Sequence, residues 1–252
     1  MSAELYRAWM RRTERDGLPA NVFIYSEREG ARTKVFTRLT DVVLDHLIGL
    51  DLLSKLGFGE AAESLRGRLP TKKRVQSGDL GEILGAVYID EATSYSVPIK
   101  RLRHKPDRNA LMPGTDLVGI GSDAGSLKLL KGEAKSRKTL YKSTVSEAVD
   151  QLLDDENMPS PGTLAFIADR LAHDDRMEEF EVIRRVQTED LPEGALEHLV
   201  FTVSGNDPGS CLRAYAGASP PRYLVGLVVT DHQDFIDHLF EEVDDTLSRR
   251  NP

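Results

Sequence analysis

Three charged side chains, Asp116, Glu133 and Lys135, stand at spacings suited to metal-assisted hydrolysis. The segment from Thr115 to Ile120 alternates as a strand, GSDAG at 121–125 supplies a turn, and Leu127 to Lys135 reads as the returning strand of a β-hairpin. Side chains alternate between the faces of a strand, so Leu127, Leu129, Lys131, Glu133 and Lys135 share one face, with Lys128, Leu130, Gly132 and Ala134 on the other. A turn near residue 123 sets Asp116 roughly opposite the Glu133 region. Phosphodiester hydrolysis needs such a convergence. Hard oxygen ligands hold Mg²⁺ (or Mn²⁺), which acidifies its water and polarises the phosphoryl oxygen. Asp116 and Glu133 would be ligands, with the Ala134 carbonyl a third. Lys135 would orient the water or stabilise charge as it develops, and Gly132 leaves room for a substrate backbone.

An acid-x-Lys triplet is a weak signal alone, because about two chance matches are expected in a chain of this composition. Here it occurs once, at the end of a strand pattern. The competing reading is a surface ion pair on an exposed hairpin.

The elements around the hairpin bear on a fourth acid. GDLGEILGAVYID puts Leu80, Ile83, Leu84, Val87 and Tyr88 on one face of a short helix. Glu82 lies opposite that stripe, facing solvent or a cleft, and is a candidate catalytic and metal-binding acid. The alternative is an acidic capping box, Asp79 to Glu82, in which Glu82 bonds the first free amide. Gly78, Gly81 and Gly85 lie along an adjacent line and would let another backbone approach closely. An extended piece follows at Ser96 to Arg103. Thr144 reads as a capping box with Glu147, opening a helix that buries Val145, Ala148, Val149, Leu152 and Leu153. The core thus reads α, β, β, β, α.

Upstream, the first ~75 residues are largely helical by their spacing, with one strand at Asn21 to Tyr25 and the strongest helix in VVLDHLIGLDLLSKLGF, stopped by Gly57 and Gly59. The basic stretch RGRLPTKKR, Arg66 to Arg74, reads as a loop and a boundary. Downstream, helices are expected near Leu164–Leu171 and Glu178–Val186, strands near Leu199–Val203 and Tyr223–Thr230, and a final helix capped by Asp231.

The net charge of −8 is unevenly spread: residues 96–142 hold 11 Lys and Arg against 4 Asp and Glu, residues 143–252 hold 8 against 23. A basic segment in an acidic protein concentrates phosphate attraction on one face. Lys100, Arg101, Arg103, His104, Lys105 and Arg108 precede Asp116 as candidate phosphate contacts, and Arg137 and Lys138 follow Lys135. Tyr95 is the sole nearby aromatic, so no stacking platform is evident. Gln151 and Lys142 read as surface residues, the six histidines as structural or exposed, and Cys211 as a small buried hydrophobe. No G-x-S-x-G elbow is present, which argues against a serine hydrolase. No apolar run reaches the ~18 residues of a membrane helix and the N-terminus lacks a signal-peptide stretch, so a cytoplasmic location is expected. With no G-x-x-x-x-G-K-[ST] loop in this sequence, any ATP-driven unwinding must come from elsewhere.

GDLGEILGAVYI, IKRLRHKPDRNALMPGTDLVGI and LKLLKGEAKSR, in this order, resemble the HamA family, the nuclease subunit of Hachiman anti-phage defence systems; the likeness covers about residues 75–157. The resemblance implies a PD-(D/E)xK nuclease fold, DNA as substrate, and a separate superfamily 2 helicase that restrains and feeds the nuclease. By position, Asp116 in PGTD and Glu133 and Lys135 in GEAK match the catalytic residues, and Glu82 in GEIL the helical acid. The proline is displaced to Pro113, with Thr115 preceding Asp116. The expected architecture is therefore α/β: a restriction-endonuclease-like central mixed sheet flanked by helices over 75–252, with an acidic C-terminal portion, and a mainly helical N-terminal lobe over 1–74. The runner-up function is a catalytically silent DNA-end or junction-binding subunit of a helicase complex. The lysine-free acidic region, including Asp174, Asp175, Glu178 and Glu179, is a candidate docking surface or DNA mimic.

Overall fold

A strand buried on both faces reads as a continuous apolar run, and the middle of the sheet follows that rule. In β6 (Leu196–Ser204) the seven residues from His198 onward are all buried, and β7 (Arg222–Val228) is nearly as enclosed. The computed structural model describes residues 5–14, 17–52, 65–123, 126–217 and 222–249. In chain order these hold α1 (Leu5–Trp9), β1 (Met10–Arg12), β2 (Val22–Glu27), α2 (Ala31–Leu47), α3 (Lys73–Ala92), β3 (Tyr95–Ser96) and a 3-10 turn (Arg101–His104). There follow β4 (Leu117–Asp123), β5 (Ser126–Arg137), α4 (Lys142–Leu153), a second 3-10 turn (Asp155–Asn157), α5 (Pro161–His173) and α6 (Met177–Thr188). Then come β6, α7 (Gly209–Arg213), β7 and α8 (His232–Arg249).

Seven strands form one sheet in the order β1-β2-β7-β6-β5-β4-β3. The four inner strands β2, β7, β6 and β5 run parallel, while β1 at one edge and β4 and β3 at the other run antiparallel to their neighbours. Helices cover both faces. Leu80, Ile83 and Leu84 of α3 join Leu39 and Val43 of α2 and Ile236 and Leu239 of α8 in one core cluster, against Leu117, Leu130, Leu199 and Phe201 of the sheet. On the opposite face, α4 and α7 pack on Val200 and Leu224, and α5 and α6 on Val118, Ile120 and Leu129. The expected mixed sheet flanked by helices is present.

Several local expectations change. Helix α3 starts at Lys73, inside the stretch read as a loop, so Asp79 and Glu82 lie in its interior and form no capping box. It is buried on nearly every side instead of along one stripe, because it lies between the sheet and the other helices. The α4 helix begins at Lys142 with Tyr141 at its N-cap and no side-chain cap, and Leu153 is exposed. Strand β4 starts at Leu117, leaving Asp116 just ahead of it. The α2 helix ends at Leu47, with Gly49 in the left-handed region, and Gly57 and Gly59 lie outside the described residues. Residues 124–125 of the hairpin turn also lie outside them. Within residues 1–74, β2 is hydrogen-bonded to β7 and shares the main core with α3 and α8.

Candidate active site

The site begins with the PGTD turn that aims Asp116. Gly114 adopts φ +86°, which glycine tolerates, and a Cβ there would stand 2.3 Å from Thr163 Oγ1. Thr115 is clamped to the start of α5: its amide donates to Thr163 Oγ1 (3.0 Å), and its hydroxyl accepts from the Ser160 amide (2.9 Å). Ser160 caps that helix by accepting from the Thr163 amide. The turn is thus anchored at its base, and Asp116 projects from a rigid position.

Across the hairpin, Leu117 pairs with Gly132. Extending that register by one residue sets Asp116 beside Glu133. The Asp116 carboxylate accepts the Ala134 amide at 3.1 Å and is hydrogen-bonded to the Glu133 carboxyl. Burial and then the neighbouring Asp116 charge push the Glu133 carboxyl well above the usual carboxylate range. A strand residue turns its N–H and C=O toward the same neighbour, so the Ala134 carbonyl faces the same side as Asp116. The Lys135 ammonium lies 3.7 Å from Glu133 and 3.8 Å from Glu147, and donates to Gln151 Oε1. Glu133 and Lys135 are buried, with relative exposures of 4% and 8%. That excludes the surface ion-pair reading.

Glu82 faces the cleft. It lines a cavity of about 20 Å³ with Asp116, Arg101, Lys100 and His46, room for about one water. Burial, then Asp116, holds its carboxyl protonated well above the ordinary range. Glycines bring α3 this close: a Cβ at Gly81 would stand 3.2 Å from Ser136 Cβ, and one at Gly85 would meet the Leu117 and Phe201 side chains. Gly78 has nothing within 4 Å. The close backbone approach anticipated for these glycines is made by the protein's own sheet.

The basic residues divide. Lys100 and Arg103 are ion-paired with Asp45, and Lys105 is buried against both oxygens of Asp79 at 2.9 Å. Arg101 is buried: one Nη donates to the Pro113 carbonyl, while Nε and the other Nη have no partner. Arg108, Arg137 and Lys138 are exposed. A cleft of about 570 Å³ lined by Arg68, Arg103, His104, Arg108 and Arg170 opens beside the 3-10 turn. Gln151 is exposed, as its reading as a surface residue expects, and its amide oxygen also accepts from the Lys135 ammonium. Its spacing of four from Glu147, which puts both on one face of α4 beside β5, was the available signal. His46, His198 and His232 are buried and Cys211 is buried and free, as structural roles require.

The donor set suits a hard divalent ion, which takes carboxylate and carbonyl oxygens. Among the described residues no group of three or more His, Cys, Asp or Glu side chains already surrounds one point. The pair Asp116–Glu133, with the Ala134 carbonyl, is therefore the nucleus of any such site, with Glu82 across the cavity.

Fold and site together define a mixed α/β protein in which a half-buried aspartate meets a buried glutamate and a buried lysine at the junction of an antiparallel hairpin and a parallel sheet. The sequence model of the HamA family matches residues 14–243, and the chain belongs to that family. A Hachiman protein HamA from Bacillus cereus is 34% identical over 137 residues, covering 54% of this chain. The match spans about half, 48%, of that relative's length. Among the described residues no helix is long and apolar enough to cross a membrane.

Proposed function

We propose that this chain is a Mg²⁺- or Mn²⁺-dependent deoxyribonuclease of the PD-(D/E)xK type, the effector subunit of an anti-phage defence complex with a superfamily 2 helicase partner. The observation that carries this reading is the contact of the Asp116 and Glu133 carboxyls with the Lys135 ammonium 3.7 Å away. A divalent ion bound there would acidify a water and neutralise phosphoryl charge. Asp116 is held by the Ala134 amide and Glu133 is fixed in the strand, so both oxygens are positioned in advance. Lys135, steadied by Gln151 and Glu147, orients the attacking water or stabilises the phosphorane charge. Family membership and the relative's name support the defence role. Exposed Arg108, Arg137 and Lys138 supply backbone contacts to DNA.

The absence of a ready-made three-carboxylate group among the described residues favours one alternative, a silent DNA-end or junction-binding subunit. Incubating the protein, with and without the helicase, on linear, nicked and single-stranded DNA with Mg²⁺ or Mn²⁺ separates the two. Metal-dependent products lost in Glu133→Ala support the nuclease. Salt-sensitive binding without products in any condition supports the alternative.

A further inference from the structure

The register of the sheet places three nitrogen-bearing side chains in one row. Lys131 pairs with His198, and His198 pairs with Arg222. Register partners point to the same face at strand spacings of about 4.8 Å. Their relative exposures are 1%, 0% and 5%. Lys131 is two residues before Glu133 on the same strand face, about 7 Å along it, so the row adjoins the carboxyl pair.

The Lys131 and His198 end of the row lies against the turn Asp154–Asn157. Lys131 Nζ donates to the Asp154 carbonyl at 2.8 Å, and His198 Nε2 donates to the Asn157 carbonyl at 3.0 Å. Arg222 Nε is buried with no partner. Two donors are thus held by carbonyls of one short segment, and the Nε of the third residue has no hydrogen-bond partner. That segment is itself strained. Asp155, Glu156 and Asn157 have φ of 53°, 56° and 70°, three consecutive non-glycine residues in the left-handed region. Its acidic side chains at 154, 155 and 156 are exposed. A buried guanidinium nitrogen lacking a hydrogen-bond partner, in one row with two donors held by a strained acidic turn, is what an anion site looks like when protein dipoles stand in for the anion.

We propose that Lys131, His198 and Arg222 form a binding site for a phosphodiester group of the DNA strand next to the scissile one, and that the Asp154–Asn157 turn is the lid that closes it. The proposal rests on the nuclease reading for the identity of the anion. Phosphate oxygens replace the Asp154 and Asn157 carbonyls and supply the acceptor that Arg222 lacks. The turn swings away, relieving its strained backbone and carrying its carboxylates off the incoming phosphate.

The test uses the full chain carrying Glu133→Gln in metal-free buffer, followed by hydrogen exchange over residues 154–158. Inorganic pyrophosphate, standing in for two neighbouring phosphates, should accelerate exchange there, and a DNA duplex should do the same. Arg222→Gln should abolish the pyrophosphate effect and lower the salt slope of duplex binding by about one. Glu156→Gly removes the left-handed penalty, favours the closed turn, and should weaken duplex binding about two- to fivefold while raising Tm. Exchange unchanged by pyrophosphate, or Glu156→Gly binding DNA as tightly as its parent, overturns the lid. Cleavage by the wild-type chain is scored separately. Normal metal-dependent cleavage with no pyrophosphate effect removes the lid alone. Absence of cleavage in every condition, with the pyrophosphate effect intact, removes the nuclease reading and leaves an anion site.

Discussion

The Glu133 carboxyl is hydrogen-bonded to the Asp116 carboxyl across the mouth of the β4–β5 hairpin. A buried carboxyl set against a neighbouring carboxylate resists ionisation, so Glu133 keeps its proton well above the usual carboxylate range even with the Lys135 and Lys131 ammoniums opposing this. That arrangement costs folding stability at neutral pH, because the unfolded chain would ionise Glu133 freely. A perturbed carboxyl of this kind, beside a second acid and a lysine, is what a functional centre would be expected to retain.

Glu133→Gln should therefore abolish cleavage and raise stability. Burial and Asp116 raise the Glu133 pKa from 4.5 to about 9. A raised folded-state pKa gives stability that is complete below the unfolded value near 4.5 and is lost as pH rises toward 9. Glutamine does not ionise, so the variant's advantage should be small at pH 5 and largest at pH 8 to 9. Each kcal/mol gained moves Tm by about 2–4 °C in a chain of this size. Melting curves at pH 5, 7 and 8.5 in EDTA check this. A variant less stable than wild type at pH 8.5 would sink the account of a Glu133 carboxyl held protonated by burial.

The Lys135 ammonium has three partners, Glu133, Glu147 and Gln151. Lys135→Met should lower kcat by about 10²-fold or more, the scale of losing one charge-stabilising donor. Gln151→Ala leaves the charge in place and only loosens it, so kcat should drop by about tenfold with KM unchanged. Equal kcat in Gln151→Ala and wild type would show that the lysine needs no help in holding its position.

Much of the site was legible because strand alternation is rigid: the shared face of Glu133 and Lys135, and Asp116 opposite Glu133, follow from period two and one hairpin. The core helix was legible from its i, i+3, i+4 apolar spacing, though not its length or its all-round burial, and the strands at Leu199 and Tyr223 fall where they were expected. What escaped depends on distant partners. The start of α3 at Lys73 runs through a basic stretch with few apolar residues, and Lys73 is paired with Asp237 of α8, a contact no local window contains. The strand β1 holds only three residues, edge-paired to β2, and carries no periodic signal. The cluster of cations at 100–108 reads as a phosphate face, yet Lys100, Arg103 and Lys105 answer Asp45 and Asp79 on other helices.

Breaking one of those pairs should be felt in stability first. Asp79 and Lys105 are both buried, with side-chain exposures of 3% and 5%. Burial raises the Asp79 carboxyl to about 6, the lysine opposing this. Removing one partner of a buried pair strands the other charge, at about 3–5 kcal/mol. Lys105→Met should accordingly lose that much in urea unfolding at pH 7.5, and Asp79→Asn together with Lys105→Met should recover most of it. A Lys105→Met chain as stable as wild type would mean that the ammonium reaches water and the pair is ornamental.

Gly85 tests whether the α3–sheet distance governs the site. A Cβ at Gly85 would come within 2.6 Å of Leu117 Cδ1 and 3.3 Å of Phe201 Cδ1. The Leu117 methyl belongs to a flexible side chain and can yield, whereas the Phe201 ring is enclosed in the core. Gly85→Ala should thus cost about 1–3 kcal/mol by overpacking, less whatever helix propensity returns. Leu117 follows Asp116 directly, so its shift should reach the carboxyl pair and lower kcat more than the stability loss explains at temperatures where the variant is fully folded. Gly78→Ala, on the same helix with open space around it, is the control and should leave kcat unchanged. Equal activity in both variants would show that α3 stands clear of the chemistry and that Glu82 is not held against Asp116 by this packing.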